Sequence, residues 1–187
     1  MKPSMNKVVA IVGMAGSGKS AVSRVFEGKG FVRIRFGDVT DKEIRKRGLE
    51  LNEANERLIR EALRGKYGME AYAILNQPGI DDALKHSDVV LDGLYSWEEY
   101  LFFHHQYGDN FRVLAVWSSP ATRYARLKQR AHRPLTTTEA ASRDRAEIEN
   151  LNKGGPIAMA DFTIANETTL EYLKSEAERV IREIGQD

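Results

Sequence analysis

The chain contains no cysteine. A disulfide framework and a thiolate metal site are both excluded by that absence. It is compatible with a reducing cytosol, so a cytoplasmic location is expected. Long apolar runs are also missing: none approaches the roughly 20 residues of a membrane span. The opening stretch Met1-Lys2-Pro3-Ser4-Met5 lacks the apolar centre of a signal peptide. It reads as a frayed leader, with Met5 as a possible natural start, and no membrane partner is expected. An excess of one charge is lacking as well. Lys plus Arg number 28 against 27 for Asp plus Glu, a net charge of +1. This balance argues against a general polyanion binder, and no nucleic-acid partner is expected. No repeat, low-complexity tract or linker interrupts the chain, whose 187 residues suit one domain with a sizeable core.

What the sequence does contain is Gly13-Met14-Ala15-Gly16-Ser17-Gly18-Lys19-Ser20. The spacing is that of a phosphate-binding P-loop. A β-branched apolar run, residues 7–12, precedes it, and apolar residues at helical spacing follow from Ala21 to Phe26. Glycine lets the backbone bend around a phosphate without a Cβ clash. The N–H groups of Gly13, Ala15, Gly16, Ser17, Gly18, Lys19, Ser20 and Ala21 then form an anion nest at a helix N-terminus. Lys19 would reach the β- and γ-phosphates of ATP, and Ser20 would ligate Mg²⁺. A glycine-rich turn that binds nothing is the plain alternative.

Taken in order, residues 31–36 alternate apolar and basic side chains and read as a second strand. Asp38 follows at its C-terminal end, where ligands of open α/β sheets sit. It either caps the next helix or faces a substrate. Residues 39–66 form a charged helical pair broken at Gly48, either a substrate-binding flap or a solvated hairpin. A helix from Met69 to Leu75 is expected to stop at Pro78-Gly79. Residues 88–93 read as a buried strand ending in Asp92, a Walker B position able to hold Mg²⁺ directly or through water. Ser96 with Glu99 is a capping box opening a helix through about His105, whose aromatics read as core. His104 and His105 are adjacent and cannot share a metal from one helix face.

Residues 111–117 form another strand, and Ser119-Pro120 starts a helix that places Arg123, Arg126 and Arg130 on one face. Thr136 to Glu139 is a second capping box, opening a helix through Leu151 that carries Arg143 and Arg145. Arginines from two helices therefore flank one loop. They form either a solvated basic face or, in the favoured reading, a lid closing over transferring phosphates. Residues 152–156 read as a helix stop with loop chemistry, residues 160–166 as a last strand, and Thr168 with Glu171 as a third capping box. The strand-helix alternation predicts an α/β fold, a parallel sheet wrapped by helices.

The P-loop, Arg126-Leu127, Arg130, Thr138-Glu139-Ala140 with Arg143, and the stretch from Ala160-Asp161 to Asn166 resemble dephospho-CoA kinase. Gly37-Asp38 and Asp92-Gly93 resemble adenylate kinases and the adenylate-kinase-related proteins of prokaryotes. The resemblance runs from Asn6 onward. It implies a five-stranded parallel sheet in the order 2-3-1-4-5, Mg-ATP and transfer of the γ-phosphoryl group. It also implies a mobile lid, placed at about residues 131–145, and a substrate-binding insertion at about 38–67. Asn166 would lie near the adenine, and Lys19, Asp38, Arg126, Arg130 and Arg143 would serve catalysis. Two adenylate-kinase arginines are replaced here by Asp41 and Tyr95, and only one acid of the dephospho-CoA kinase pair, Asp38, is clearly placed.

The expected function is an ATP-dependent kinase of a small nucleotide-like molecule, acting as monomer or homodimer. A dephospho-CoA-like hydroxyl acceptor is favoured. Alternatives are a nucleoside monophosphate kinase or an ATP-binding regulatory protein with slow hydrolysis. A GTPase is disfavoured because residues 152–155 lack the guanine-reading Asp, and an ABC-type ATPase because no signature Ser-Gly-Gly occurs. Asp41 and Tyr95 in place of arginines predict that AMP is not the preferred acceptor. A carboxylate about 4 Å from a phosphate charge costs on the order of 4 kcal/mol at an effective dielectric near 20.

Overall fold

The fold was obtained as a computed structural model, which describes residues 6–131 and 134–186. The leader expected at residues 1–5 and His132 and Arg133 of the expected lid lie outside the described residues. Five strands form one parallel sheet: β1 (Val8–Val12), β2 (Val32–Arg35), β3 (Val89–Asp92), β4 (Phe111–Trp117) and β5 (Phe162–Ala165). Their order is β2-β3-β1-β4-β5, and every neighbouring pair is parallel. The helices are α1 (Lys19–Gly28), α2 (Gly37–Lys46), α3 (Glu53–Tyr67), α4 (Ala71–Ala83), α5 (Trp97–Tyr107), α6 (Pro120–Lys128), α7 (Thr137–Leu151), α8 (Gly154–Ala158) and α9 (Leu170–Ile184).

The central strand shows why the sheet needs two covers. All of β1 is buried, with Val8, Ala10 and Val12 on one face and Val9 and Ile11 on the other. The first face packs under Tyr72 and Ile80 of α4 and Phe103 of α5. The second packs under Val22 and Phe26 of α1 and Leu173, Ala177, Val180 and Ile184 of α9. Those α9 positions recur at intervals of four and three, the stripe that a helix presents to a core. Among the described residues no helix is long and apolar enough to cross a membrane.

Several local expectations need correction. Helix α4 does not stop at Pro78: it runs on to Ala83 with the proline inside. An interior proline removes one backbone hydrogen bond and costs about 3 kcal/mol. Pro78 and Gly79 lie on the exposed side, while Tyr72, Ala73, Asn76 and Ile80 bury both halves of the helix, so core packing overrides the break. The cap of α9 is Thr169, whose hydroxyl accepts from the Tyr172 N–H at 3.2 Å, so Thr168 and Glu171 form no capping box. The other two boxes are present, at Ser96 with Glu99 and Thr136 with Glu139. Asn152 ends α7 in the left-handed conformation, yet residues 154–158 form a further short helix rather than loop. Asp38 is no cap either: α2 begins at Gly37 without a side-chain cap, and Asp38 sits in its first turn.

Candidate phosphate-transfer site

The site lies at the C-terminal ends of β1, β3 and β4, where a parallel sheet of this order opens. The loop after β1 has left-handed backbone at Gly13 (φ 140°), Gly16 (83°) and Gly18 (107°). Close approach adds to that need. A Cβ at Gly13 would lie 2.3 Å from the Val116 carbonyl oxygen, and one at Gly18 would lie 2.4 Å from Asn166 Nδ2. Gly18 is also the N-cap of α1, which aims the helix's free N–H groups into the loop. Lys19 Nζ curls back to donate to the carbonyls of Gly13 (2.8 Å) and Met14 (3.0 Å).

The strand-end acid is where the sequence pattern put it. Asp92 is 5% exposed, and its Oδ1 accepts from the Ser20 hydroxyl at 3.3 Å. Its Oδ2 is held by Arg33 of β2, which donates from Nε at 3.2 Å and also from its terminal nitrogen. Arg33 Nε lies 3.1 Å from Ser23 Oγ as well. The only sequence signal for this pairing is a basic residue in an alternating strand. Ser20 Oγ and Asp92 Oδ1 are hard oxygen donors, the kind Mg²⁺ takes, and one or two protein oxygens suffice where phosphates supply others. The residues therefore fit Mg²⁺, while no group of three acidic, His or Cys side chains suited to a metal occurs among the described residues.

The arginines of α6 and α7 divide into different roles. Arg123 is 4% exposed and makes a two-pronged pair with Asp144 of α7 at 2.9 and 2.6 Å. It also donates to the carbonyls of Ala15 (3.2 Å) and Ser118 (3.1 Å), so it fastens the P-loop to α7. Arg126 donates to Ser118 Oγ (3.0 Å) and the Asn166 carbonyl (3.1 Å). The Asn166 side chain itself donates to the Ser17 carbonyl at 2.7 Å and braces the loop. Arg143 donates to Glu147 Oε1 at 3.1 Å, and Arg130 lies within its electrostatic reach. Asp38 stands apart. It is exposed, pairs with Arg35 at 3.3 Å, and lines a cleft of about 1030 Å³ with Lys42, Arg45 and Asn76, without a P-loop residue.

A lysine within the stretch that reads as a helix stop lies within electrostatic reach of Lys19. Lys153 is 1% exposed, and its Nζ donates to Glu147 Oε2 at 2.6 Å. Burial and the neighbouring Lys153 cation push the Lys19 amine down to about 7. Burial alone would raise the Glu147 carboxyl, but Lys153 and Arg143 overcome it and hold it at about 2. Burial raises Glu99 to about 7; its Oε2 accepts from the backbone N–H groups of Tyr95 (2.6 Å) and Ser96 (3.3 Å). On α3, the Arg64 guanidinium lies 5.3 Å from the Tyr72 ring centre, and its Nε has no hydrogen-bond partner among the described residues.

Comparison with known proteins places this geometry. A UPF0200 protein of Thermococcus kodakarensis is 35% identical over 181 residues, covering 95% of this chain and 97% of that protein. One from Sulfurisphaera tokodaii is 36% identical over 185 residues, covering 97% and 99%. The chain belongs to the UPF0200 family. The AAA domain profile also matches it over residues 9–150. Among solved structures, TT1252 from Thermus thermophilus superposes with a TM-score of 0.67 at 20% identity, covering 95% of this chain and 97% of that one. Shikimate kinase from Bacteroides thetaiotaomicron gives 0.61 at 12%, covering 96% and 98%. Dephospho-CoA kinase from Campylobacter jejuni gives 0.56 at 15%, covering 97% and 98%. At such identities the likeness is one of fold: a P-loop kinase fold with strand order 2-3-1-4-5.

Proposed function

We propose that this UPF0200 protein is an ATP-dependent kinase. It moves the γ-phosphoryl group of Mg-ATP to a hydroxyl of a small nucleotide-like acceptor of the dephospho-CoA type. The observation that carries the reading is the convergence of the P-loop Lys19, the Ser20–Asp92 oxygen pair, Arg143 of α7 and Lys153 just after it at one end of the sheet. In this reading the loop amides and Lys19 bind the β- and γ-phosphates. Ser20 and Asp92 Oδ1 hold Mg²⁺, which when bound neutralises charge developing on the phosphates. Arg130 and Arg143 add positive charge from the lid, and Arg126 and Asn166 form the side nearest the nucleotide base.

Phosphoryl transfer passes through a loose transition state and asks mainly for positioning and charge. Proton abstraction by Asp38 is therefore not required. Asp38 serves acceptor binding at its cleft, on the helical insertion of residues 38–67. One observation favours a second reading, a nucleoside monophosphate acceptor. Asp41 pairs with Arg35 at 3.0 Å, which offsets the repulsion expected from its position, and Arg64 offers a cation facing the interior.

The test is ATP consumption by purified protein across AMP, CMP, dTMP, nucleosides and dephospho-CoA. Turnover led by a hydroxyl acceptor supports the first reading. Saturable turnover led by AMP establishes the second instead, and acceptor-independent hydrolysis alone points to a regulator. In each case Lys19→Ala should lose at least roughly 10²-fold in rate, as when one donor to a developing oxyanion is removed. Near-normal turnover of that variant would sink the P-loop mechanism here.

A further inference from the structure

Lys153 sits in the turn between α7 and α8, and three contacts fix it there. Its backbone N–H donates to the Glu147 carbonyl at 3.3 Å. Gly155, two residues on, lies so close to Trp97 that a Cβ would stand 2.6 Å from the indole ring. The Lys153 ammonium lies 5.5 Å from the centre of the Tyr95 ring. Tyr95 in turn covers Gly93, its hydroxyl 3.0 Å from where a Cβ on that glycine would be. Gly93 directly follows Asp92, so the turn reaches from the lid helix to the floor of the phosphate site.

Like charges meet there. Lys153 and Arg143 each lie within electrostatic reach of Lys19, and all three act on Glu147. Asp92 is already matched by Arg33, which leaves the Glu147 carboxylate to serve Lys153 on one oxygen and Arg143 on the other. Grouped positive charge out of water is unfavourable unless an anion completes it. A lysine point charge on a flexible stem suits a phosphate better than a fixed structural pair does.

We propose that Lys153 is a γ-phosphate-contacting residue, held beside the P-loop by Glu147 and passed to the terminal phosphate of the bound nucleotide triphosphate. The inference rests on the kinase reading above and extends it to a residue outside the P-loop and the lid arginines. Glu147 is then a positioning residue. It keeps Lys153 in place without ligand and competes with phosphate for it.

The experiment is calorimetric titration with Mg-ADP and with a non-hydrolysable Mg-ATP analogue. Lys153→Met should weaken the triphosphate by at least about tenfold, the scale of one charge-assisted hydrogen bond. The same variant should weaken the diphosphate by less than about threefold, because its phosphates meet the loop amides and Lys19. Glu147→Gln should bind the triphosphate as tightly as wild type or tighter. Should Lys153→Met fail to give a cooperative melt, the double variant with Glu147→Gln leaves no stranded carboxylate, and it is compared with Glu147→Gln alone. An unchanged triphosphate-to-diphosphate preference in the lysine variant overturns the inference. So does a loss in Glu147→Gln as large as in Lys153→Met, which marks the pair as purely structural. Wild-type protein that binds neither nucleotide overturns the kinase reading itself, whereas intact ADP binding without the triphosphate effect overturns this inference alone.

Discussion

The pairing of Arg33 with Asp92 joins the edge strand to the proposed metal position, and its strength can be worked from the structure. Asp92 is 5% exposed at its side chain and Arg33 18%. Two nitrogens of one guanidinium meet the same carboxylate oxygen. Removing one partner of a buried pair costs about 3–5 kcal/mol because the other charge is stranded. The partial exposure of Arg33 lets water reach it, which lowers the expected figure for Arg33→Met to about 2–3 kcal/mol. The double variant with Asp92→Asn should recover part of that loss, giving a coupling energy of at least about 1.5 kcal/mol in a urea double-mutant cycle. Mg²⁺ sharpens the test. With Arg33 gone, the buried Asp92 carboxylate keeps the Ser20 hydroxyl and the nearby Lys19 cation among the described residues, so Mg-ATP should raise the melting temperature of Arg33→Met more than that of wild type. Asp92→Asn should in turn need more Mg²⁺ for activity. A coupling energy below about 0.5 kcal/mol would place the pair among surface ion pairs and refute the reasoning. Overlaying Mg²⁺ titrations for Asp92→Asn and wild type would reduce Asp92 to a strand-end residue.

Two further outcomes follow from buried charge. Glu99 is raised to about 7 by burial, so the folded state holds a proton that the unfolded chain releases near its ordinary value of about 4.5. Stability from this group is complete below the unfolded value and is lost as pH rises through about 7. Glu99→Gln keeps an oxygen for the Tyr95 and Ser96 N–H groups and should flatten the fall in urea stability between pH 5 and 8. A variant whose pH profile parallels wild type would show that another group governs it. Asp144→Asn should cost about 3 kcal/mol by stranding Arg123. The loss should extend to ADP affinity, because Arg123 also holds the Ala15 carbonyl; a destabilised variant with unchanged affinity would separate the α7 anchor from the loop.

What could be read in the sequence was what local chemistry dictates. The P-loop, the strand ending in Asp92 and the caps Ser96, Ser119 and Thr136 each announce themselves within a few residues, and the structure has each in place. The strand order came from the family resemblance, since parallel pairing leaves no local signal. Other features depend on partners distant in the chain. Pro78 could be kept inside α4 only because a buried face on either side holds the helix. Arg123 and Arg126 share a helix face, yet one meets Asp144 and the other Asn166. Spacing puts side chains on a face, but it does not say which element covers that face.

The position of Tyr95 connects these threads. Adenylate kinases, which the Asp92-Gly93 pair resembles, carry an arginine there, and its loss argued against an acceptor phosphate. In the fold Tyr95 is half-buried against the core, and its hydroxyl is held well above its ordinary range by burial and by the nearby Asp92. It therefore stays a neutral, apolar-bodied surface at any ordinary pH. Lys153, 58 residues further along the chain, brings a cation over that surface from the far side of the site. A positive charge is thus brought to the strand end by the turn that follows α7. The turn that carries Lys153 is packed against Trp97 and Tyr95. In the proposed kinase reading a cation held there serves the phosphates of the nucleotide, so the arginine missing at Tyr95 does not by itself decide the acceptor.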